Sequence, residues 1–245
     1  MKIISIANQK GGVGKSTVTI NLAYELANKG LNILILDMDQ QANTSEFFNL
    51  SQTDYNIYQV LKGRKRLLDC IIQVKPNISI VPGSRQMQYF NNENSSLLKK
   101  ALKRANISDT YDIVLIDNPP AISNVTLNSF VVSDGVLIVT EPEAFSISGL
   151  SLLNQNINSI NSTYRQPLTI VGILVNKVDS RRSVCVDNID LIKKQYGNLM
   201  LNTPLNNYFE VTRSIQEKQF ISELFPDSKS SNQFKDVADE LLLRI

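Results

Sequence analysis

The sequence predicts a doubly wound α/β fold, a mostly parallel β-sheet flanked by helices, with a phosphate-binding loop after its first strand. Three observations carry that expectation. Short runs rich in Ile, Val and Leu alternate with segments of helical period, most of the runs are apolar on both faces, and a glycine-rich stretch follows the first of them.

The strand-like runs are KIISIA (2–7), LNILILD (31–37), ISIVP (78–82), YDIVLID (111–117), GVLIVTE (135–141) and LTIVGILVN (168–176). Apolarity on both faces is the mark of strands covered by helices on either side. Segments 15–29, 95–106, 146–159, 184–196 and 234–243 place apolar residues at i, i+3, i+4 and are expected to be amphipathic helices. Residues 40–66 and 82–95 are the least regular, and PGSRQMQYFNNENSS in the second reads as a surface loop or mobile element. The densest charge run, KGRKR (62–66), is read first as a solvated helix end and alternatively as a contact for phosphates or an acidic partner. With no internal repeat or long linker, residues 1–245 are expected to form one domain.

Composition removes several chemistries. Histidine is absent, which excludes Ser-His-Asp and Cys-His catalysis and the usual zinc sites. The two cysteines, Cys70 and Cys185, lie too far apart in sequence to suggest a metal cage and read as buried small side chains. A net charge of +2 argues against a globally basic nucleic-acid coat and leaves room for a local basic patch. The N-terminus has no signal-peptide pattern and no run is long enough to span a membrane, so a soluble cytoplasmic protein is expected.

SIANQKGGVGKST (5–17) carries the chemistry. Gly11, Gly12 and Gly14 permit positive φ and let backbone N–H groups converge on an anion, and a helix opening at Lys15 adds its unpaired amides. Lys15 is expected to reach the β- and γ-phosphates of a nucleotide, and the Ser16 hydroxyl to ligate Mg²⁺. At ordinary glycine usage three fixed glycines arise by chance at about one start in 3,000. The stretch departs from G-x-x-x-x-G-K-[ST] at its first position, where Gln9 replaces glycine and a second lysine, Lys10, follows. Two carboxylate sites follow at strand ends. Asp117 closes IVLID as a Mg²⁺-supporting acid, and Asp37 and Asp39 close LILDMD beside it.

Together these residues resemble the ParA family, the deviant Walker A ATPases that segregate plasmids and chromosomes. KGGVGKST (10–17), LILDMDQQANTS (34–45), VLIDNPP (114–120), TEPEAFSISGLSLL (140–153) and ILVNKVDSR (173–181) are similar to successive family blocks. The resemblance implies slow, switch-type ATP hydrolysis with Mg²⁺. It makes Lys10 the signature lysine that crosses a dimer interface to the partner's phosphates. It wraps the nucleotide with Gly11, Gly12, Val13, Gly14, Lys15, Ser16 and Thr17, and gives Asp39 to the attacking water or metal and Asp117 to Mg²⁺. Asn176 is implied to recognise adenine, and Pro204 to lie beside the base. Arg181 is implied to contact DNA, and Arg182, Lys193 and Lys194, on or just before the same helix, are candidates with it.

Gln40 stands where the family usually has proline, and Tyr208 where it often has arginine, so Arg213 and Lys218 are the remaining DNA candidates in that stretch. The chain begins at its first strand, so an N-terminal helix-turn-helix and operator binding are not expected. The implied partners are a second copy of the chain, nonspecific DNA and a ParB-type centromere-binding protein, with a nucleoid-associated location. The alternative is a MinD-like positioning ATPase on a membrane. The tail FKDVADELLLRI, with its acids balancing its bases, disfavours it. A small-molecule kinase or ligase lacks a recognisable acceptor site, and an iron–sulfur reductase lacks its cluster cysteines.

Overall fold

In the computed structural model, which describes residues 1–143, 146–164 and 167–245, seven strands join in one sheet. They are β1 (Lys2–Ala7), β2 (Ile33–Asp37), β3 (Ile72–Lys75), β4 (Ile78–Val81), β5 (Ile113–Asp117), β6 (Gly135–Thr140) and β7 (Thr169–Val175). Their order is β3-β4-β2-β5-β1-β6-β7, with every pairing parallel except β3 with β4. The chain starts near the middle, winds out to one edge and returns to build the other, as expected of a doubly wound sheet.

All six expected strands are present. The seventh, β3, escapes the pattern because it is an edge strand with half-exposed residues alternating along IQVK. Asn77, at φ 61°, turns the chain between β3 and β4.

Ten helices are described: α1 (Lys15–Asn28), α2 (Asn43–Phe47), α3 (Ile57–Leu61), α4 (Leu97–Ala105), α5 (Asn124–Phe130), α6 (Ser146–Tyr164), α7 (Ser183–Tyr196), α8 (Phe209–Glu217), α9 (Ile221–Leu224) and α10 (Lys229–Leu242). The region 40–66 therefore contains two short helices. α3 is started by Asn56, whose side chain accepts from the Gln59 N–H at 3.2 Å. α10 begins five residues before the expected position because Ser228 caps it, accepting from the Ser231 N–H at 3.1 Å.

Alternation along each strand sends side chains to two faces. Ile4 and Ile6 of β1 join Val18, Leu22 and Leu26 of α1 and Phe234, Val237 and Leu241 of α10 in one cluster. On the opposite face, Leu34, Leu36, Val114 and Ile116 pack with α3 and α4, while Val136, Ile138, Ile173 and Val175 pack with α6 and α7. The apolar side of α10 is thus buried against α1. No helix among the described residues is long and apolar enough to cross a membrane.

Candidate nucleotide-binding site

The turn from β1 into α1 is built by Gly14, whose φ of 97° suits glycine. A Cβ there would lie 2.2 Å from Nδ2 of Asn176, so the residue is glycine for space as well as for backbone angle. Among the described residues no side chain caps α1, and no acid lies in its first turn, leaving its N-terminal amides open to an anion. A Cβ on Gly11 or Gly12 would meet nothing within 4 Å. These glycines, with Lys15, Ser16 and Thr17, line a cavity of about 410 Å³ whose other walls include Asp39, Asn43, Pro120, Ile215 and Lys218.

Two residues after β7 hold the loop from behind. Asn176 Nδ2 donates to the Val13 carbonyl at 2.7 Å, and Lys177 Nζ donates to the Gly12 carbonyl at 2.5 Å. Val13 itself is buried in the core.

The carboxylates gather at the ends of β2 and β5, where Asp37 and Asp117 are register partners. Both are fully buried, and burial is the largest cause pushing them up, to about 8 for Asp37 and about 6 for Asp117. Asp37 is also raised by the nearby Asp117 charge. It is nonetheless well bonded. Ser45 donates to its Oδ2 from N and Oγ at 2.9 and 2.6 Å, and the Asp39 N–H reaches its Oδ1 at 3.2 Å.

Asp117 differs. Its Oδ2 accepts from Thr44 Oγ1 at 2.7 Å and the Ser16 hydroxyl lies beside the carboxylate, but among the described residues the buried Oδ1 has no partner. An orphaned carboxylate oxygen beside a serine hydroxyl is the donor set a hard divalent cation takes, and in this respect the residues fit Mg²⁺.

Asp39, at the cavity wall, is held by the Gln41 N–H on Oδ1 at 2.9 Å, and burial raises its carboxyl above the usual range. Burial lowers the Lys15 ammonium, opposed by the charges of Asp117 and Asp39. That ammonium makes no ion pair among the described residues; its one hydrogen bond is a long one, 3.5 Å, to the Lys10 carbonyl.

Lys10 turns away from the cavity. Its half-exposed Nζ lies 2.7 Å from both Glu141 Oε2 and Glu143 Oε2, and hydrogen bonds to these acids raise it above its ordinary value. Glu141 also pairs with Lys177 at 2.8 Å. Ala144 and Phe145, inside the block 140–153, lie outside the described residues.

The structure therefore brings Gly11, Gly12, Gly14, Lys15, Ser16, Thr17 and Asp39 to one cavity, with Asp117 beside Ser16. Asn176 lies beneath the loop, with its amide committed to Val13, and neither it nor Pro204 lines the cavity. Lys218 lines the cavity and is bonded to Glu46 and Asn49 at 2.8 and 2.6 Å. Arg181 is paired with Asp179 and Arg213 with Glu217, while Arg182, Lys193 and Lys194 are exposed around α7. Thr44, Lys177, Glu141 and Glu143 were not identified individually from the sequence, although the quoted blocks or their flanks contain them.

A strand, a glycine loop, an uncapped helix N-terminus and paired acids at neighbouring strand ends define a P-loop nucleoside triphosphatase. An AAA domain model matches residues 1–170, and the chain belongs to this family as a ParA-type ATPase. It is 28% identical to the sporulation initiation inhibitor protein Soj of Bacillus subtilis over 249 residues, covering 98% of each chain. It is 29% identical to the chromosome-partitioning ATPase Soj of Treponema pallidum over 251 residues, covering 99% of this chain and 98% of that one. A plasmid partition protein of Borrelia burgdorferi B31 bound to AMPPNP superposes with a TM-score of 0.84 at 25% identity, covering 100% of this chain and 99% of that one.

Proposed function

We propose that residues 1–245 act as one partition ATPase domain that binds ATP with Mg²⁺, dimerises around the nucleotide, binds DNA without regard to sequence and is stimulated by a ParB-type partner near the nucleoid. The observation that carries this reading is the second lysine of the loop. Lys10 is half exposed, does not line its own subunit's cavity, and sits on a neighbouring pair of acids. Of the two loop lysines, Lys15 lines that cavity. A lysine beside the phosphate loop but directed out of it suits service to another subunit, where burying a triphosphate is unfavourable unless its charge is met.

Within one subunit the backbone amides of 11–17 cradle the phosphates, and the Lys15 ammonium is held ready by burial without a carboxylate partner. Ser16 and Asp117 would hold Mg²⁺, with Asp39 at the wall beside them. The ion, when bound, neutralises phosphate charge. Asp39 orients a water by accepting its proton-bearing edge, and the Gln41 N–H fixes the carboxylate for that task. Asn176 holds the loop through Val13, and it and Pro204 would meet the base from outside the phosphate cavity.

The experiment is a pair of variants. D39A should bind ATP and dimerise but lose hydrolysis. K10A should bind ATP yet fail to dimerise in analytical ultracentrifugation, and an ATP-dependent K10A dimer would overturn the cross-subunit role.

A further inference from the structure

A second groove, large and open, shares no residue with the nucleotide cavity. It has a volume of about 1040 Å³ and lies between the loop 62–69 and α4. Its floor is apolar, from Leu61, Leu67, Leu97 and Ala101. Its walls carry Lys62, Arg64, Lys65, Arg66, Lys100 and Arg104 against one acid, Asp69. Lys99 and Lys103, exposed on the same helix, extend the charge outward. The whole chain carries only +2, so this face is strongly positive while the remainder is net negative.

Most of this charge is uncompensated. Asp69 is taken by Arg66 through a two-pronged contact of 2.9 and 2.5 Å. Lys65 sits 3.6 Å from the Tyr55 ring centroid, and Lys62 lies over Tyr58 and Phe90, so aromatic faces position these two ammonium groups without neutralising them. Among the described residues Arg64, Lys100 and Arg104 have no ion pair or side-chain hydrogen bond. The cations around α7 are diluted by comparison: Asp179, Asp187 and Asp190 interleave with Arg181, Arg182, Lys193 and Lys194, and Arg181 is already paired.

We infer that the groove between loop 62–69 and α4 is the site that holds the phosphate backbone of double-stranded DNA, an assignment that rests on the partition reading above. The largely exposed charge run at 62–66, which follows the end of α3, forms half of this binding surface. A surface this dense in one sign suits a ligand of matching density. Duplex DNA carries about one charge per 1.7 Å of axis, whereas an acidic helix presents only those of its residues that face the groove. Its cations sit on long side chains, and those of Arg64, Lys100 and Arg104 are held by no fixed partner among the described residues, which suits contact with phosphates rather than readout of base edges.

The test uses the full chain with a non-hydrolysable ATP analogue and a fluorescent duplex of random sequence, titrated from about 50 to 200 mM salt. R64E/K100E should lose about tenfold or more in affinity, with a slope of log K against log salt shallower by about two. R64A/K100A should lose less, and both should keep wild-type DNA-free ATP hydrolysis and thermal midpoint. R181E/R182E should stay within about threefold of wild type. If R64E/K100E binds as wild type while R181E/R182E does not, the groove assignment falls and the partition reading stands. If the wild-type protein binds no duplex at all, both fall. Binding of polyglutamate or anionic vesicles that R64E/K100E abolishes while leaving duplex binding intact also overturns the assignment.

Discussion

Removing one acid beneath Lys10 should tighten the ATP-dependent dimer. Lys10 Nζ lies between Glu141 and Glu143 at 2.7 Å from each, and both contacts must open if the ammonium is to cross to another subunit. Glu143 is the cleaner target, because Glu141 also anchors Lys177 while Glu143 is more than half exposed. An exposed pair of this kind stabilises by about 0.2–1 kcal/mol after solvent screening. Taking about 0.5 kcal/mol, E143Q shifts the opening equilibrium roughly twofold per subunit. Two subunits open together, so the dimer dissociation constant should fall about fivefold, with about thirtyfold as the upper bound. Sedimentation at low salt with a non-hydrolysable analogue measures this directly. The gain should fade toward about 1 M salt, where screening removes the pair in the wild type as well. Adding K10Q should abolish the difference between Glu and Gln at 143, as a double-mutant cycle requires. A low-salt E143Q dimer no tighter than wild type would refute the idea that this pair holds Lys10 back.

Other positions give independent checks. G83A places a Cβ 2.7–2.9 Å from the buried Asp37 carboxylate and should destabilise by about 1–3 kcal/mol, read as a fall of several degrees in thermal midpoint. G14A meets Asn176 at 2.2 Å and strains the backbone, so nucleotide affinity should drop about tenfold or more in a fluorescence titration. The added N176A change, which removes the clashing amide, should recover part of the lost affinity. Glu25 is buried beside Ser222, and burial holds its carboxyl above the ordinary value of 4.5, with the Ser222 hydroxyl opposing. Because the folded state favours the protonated form, ionisation removes stability as pH rises from the unfolded value through the raised one. E25Q should therefore gain on wild type more at pH 8 than at pH 5 in paired urea melts.

The strands were legible because burial on both faces leaves an unbroken apolar run, and ILILD or IVLID admits little else. β3 was not legible, since an edge strand buries only alternate residues. α2 and α3, at five residues each, are too short to display a helical period, and Asn56 was the local signal for the second. At the site, the glycines and Lys15 are adjacent in sequence and were readable as a unit. The bonds from Thr44 to Asp117 and from Lys177 to Gly12 join residues 73 and 165 positions apart. Such pairings depend on how strands are ordered in the sheet, which no local pattern encodes. The KGRKR run was visible, but its partner surface on α4 became apparent only when packing brought the two segments to one groove.

Asn176 and Lys177 hold two successive carbonyls of the phosphate loop from the segment that leads into α7. Lys177 does so with a φ of 56°, an uncommon angle for a lysine, and its ammonium also touches the acid that pairs with Lys10. The loop, the start of α7 and the Lys10 acid pair therefore share one mechanical joint. A displacement of the loop large enough to break either bond would be registered at α7 and at the subunit's outward-facing lysine in the same event. Such a joint would let the protein signal the arrival and loss of phosphate to its surroundings without any separate messenger element.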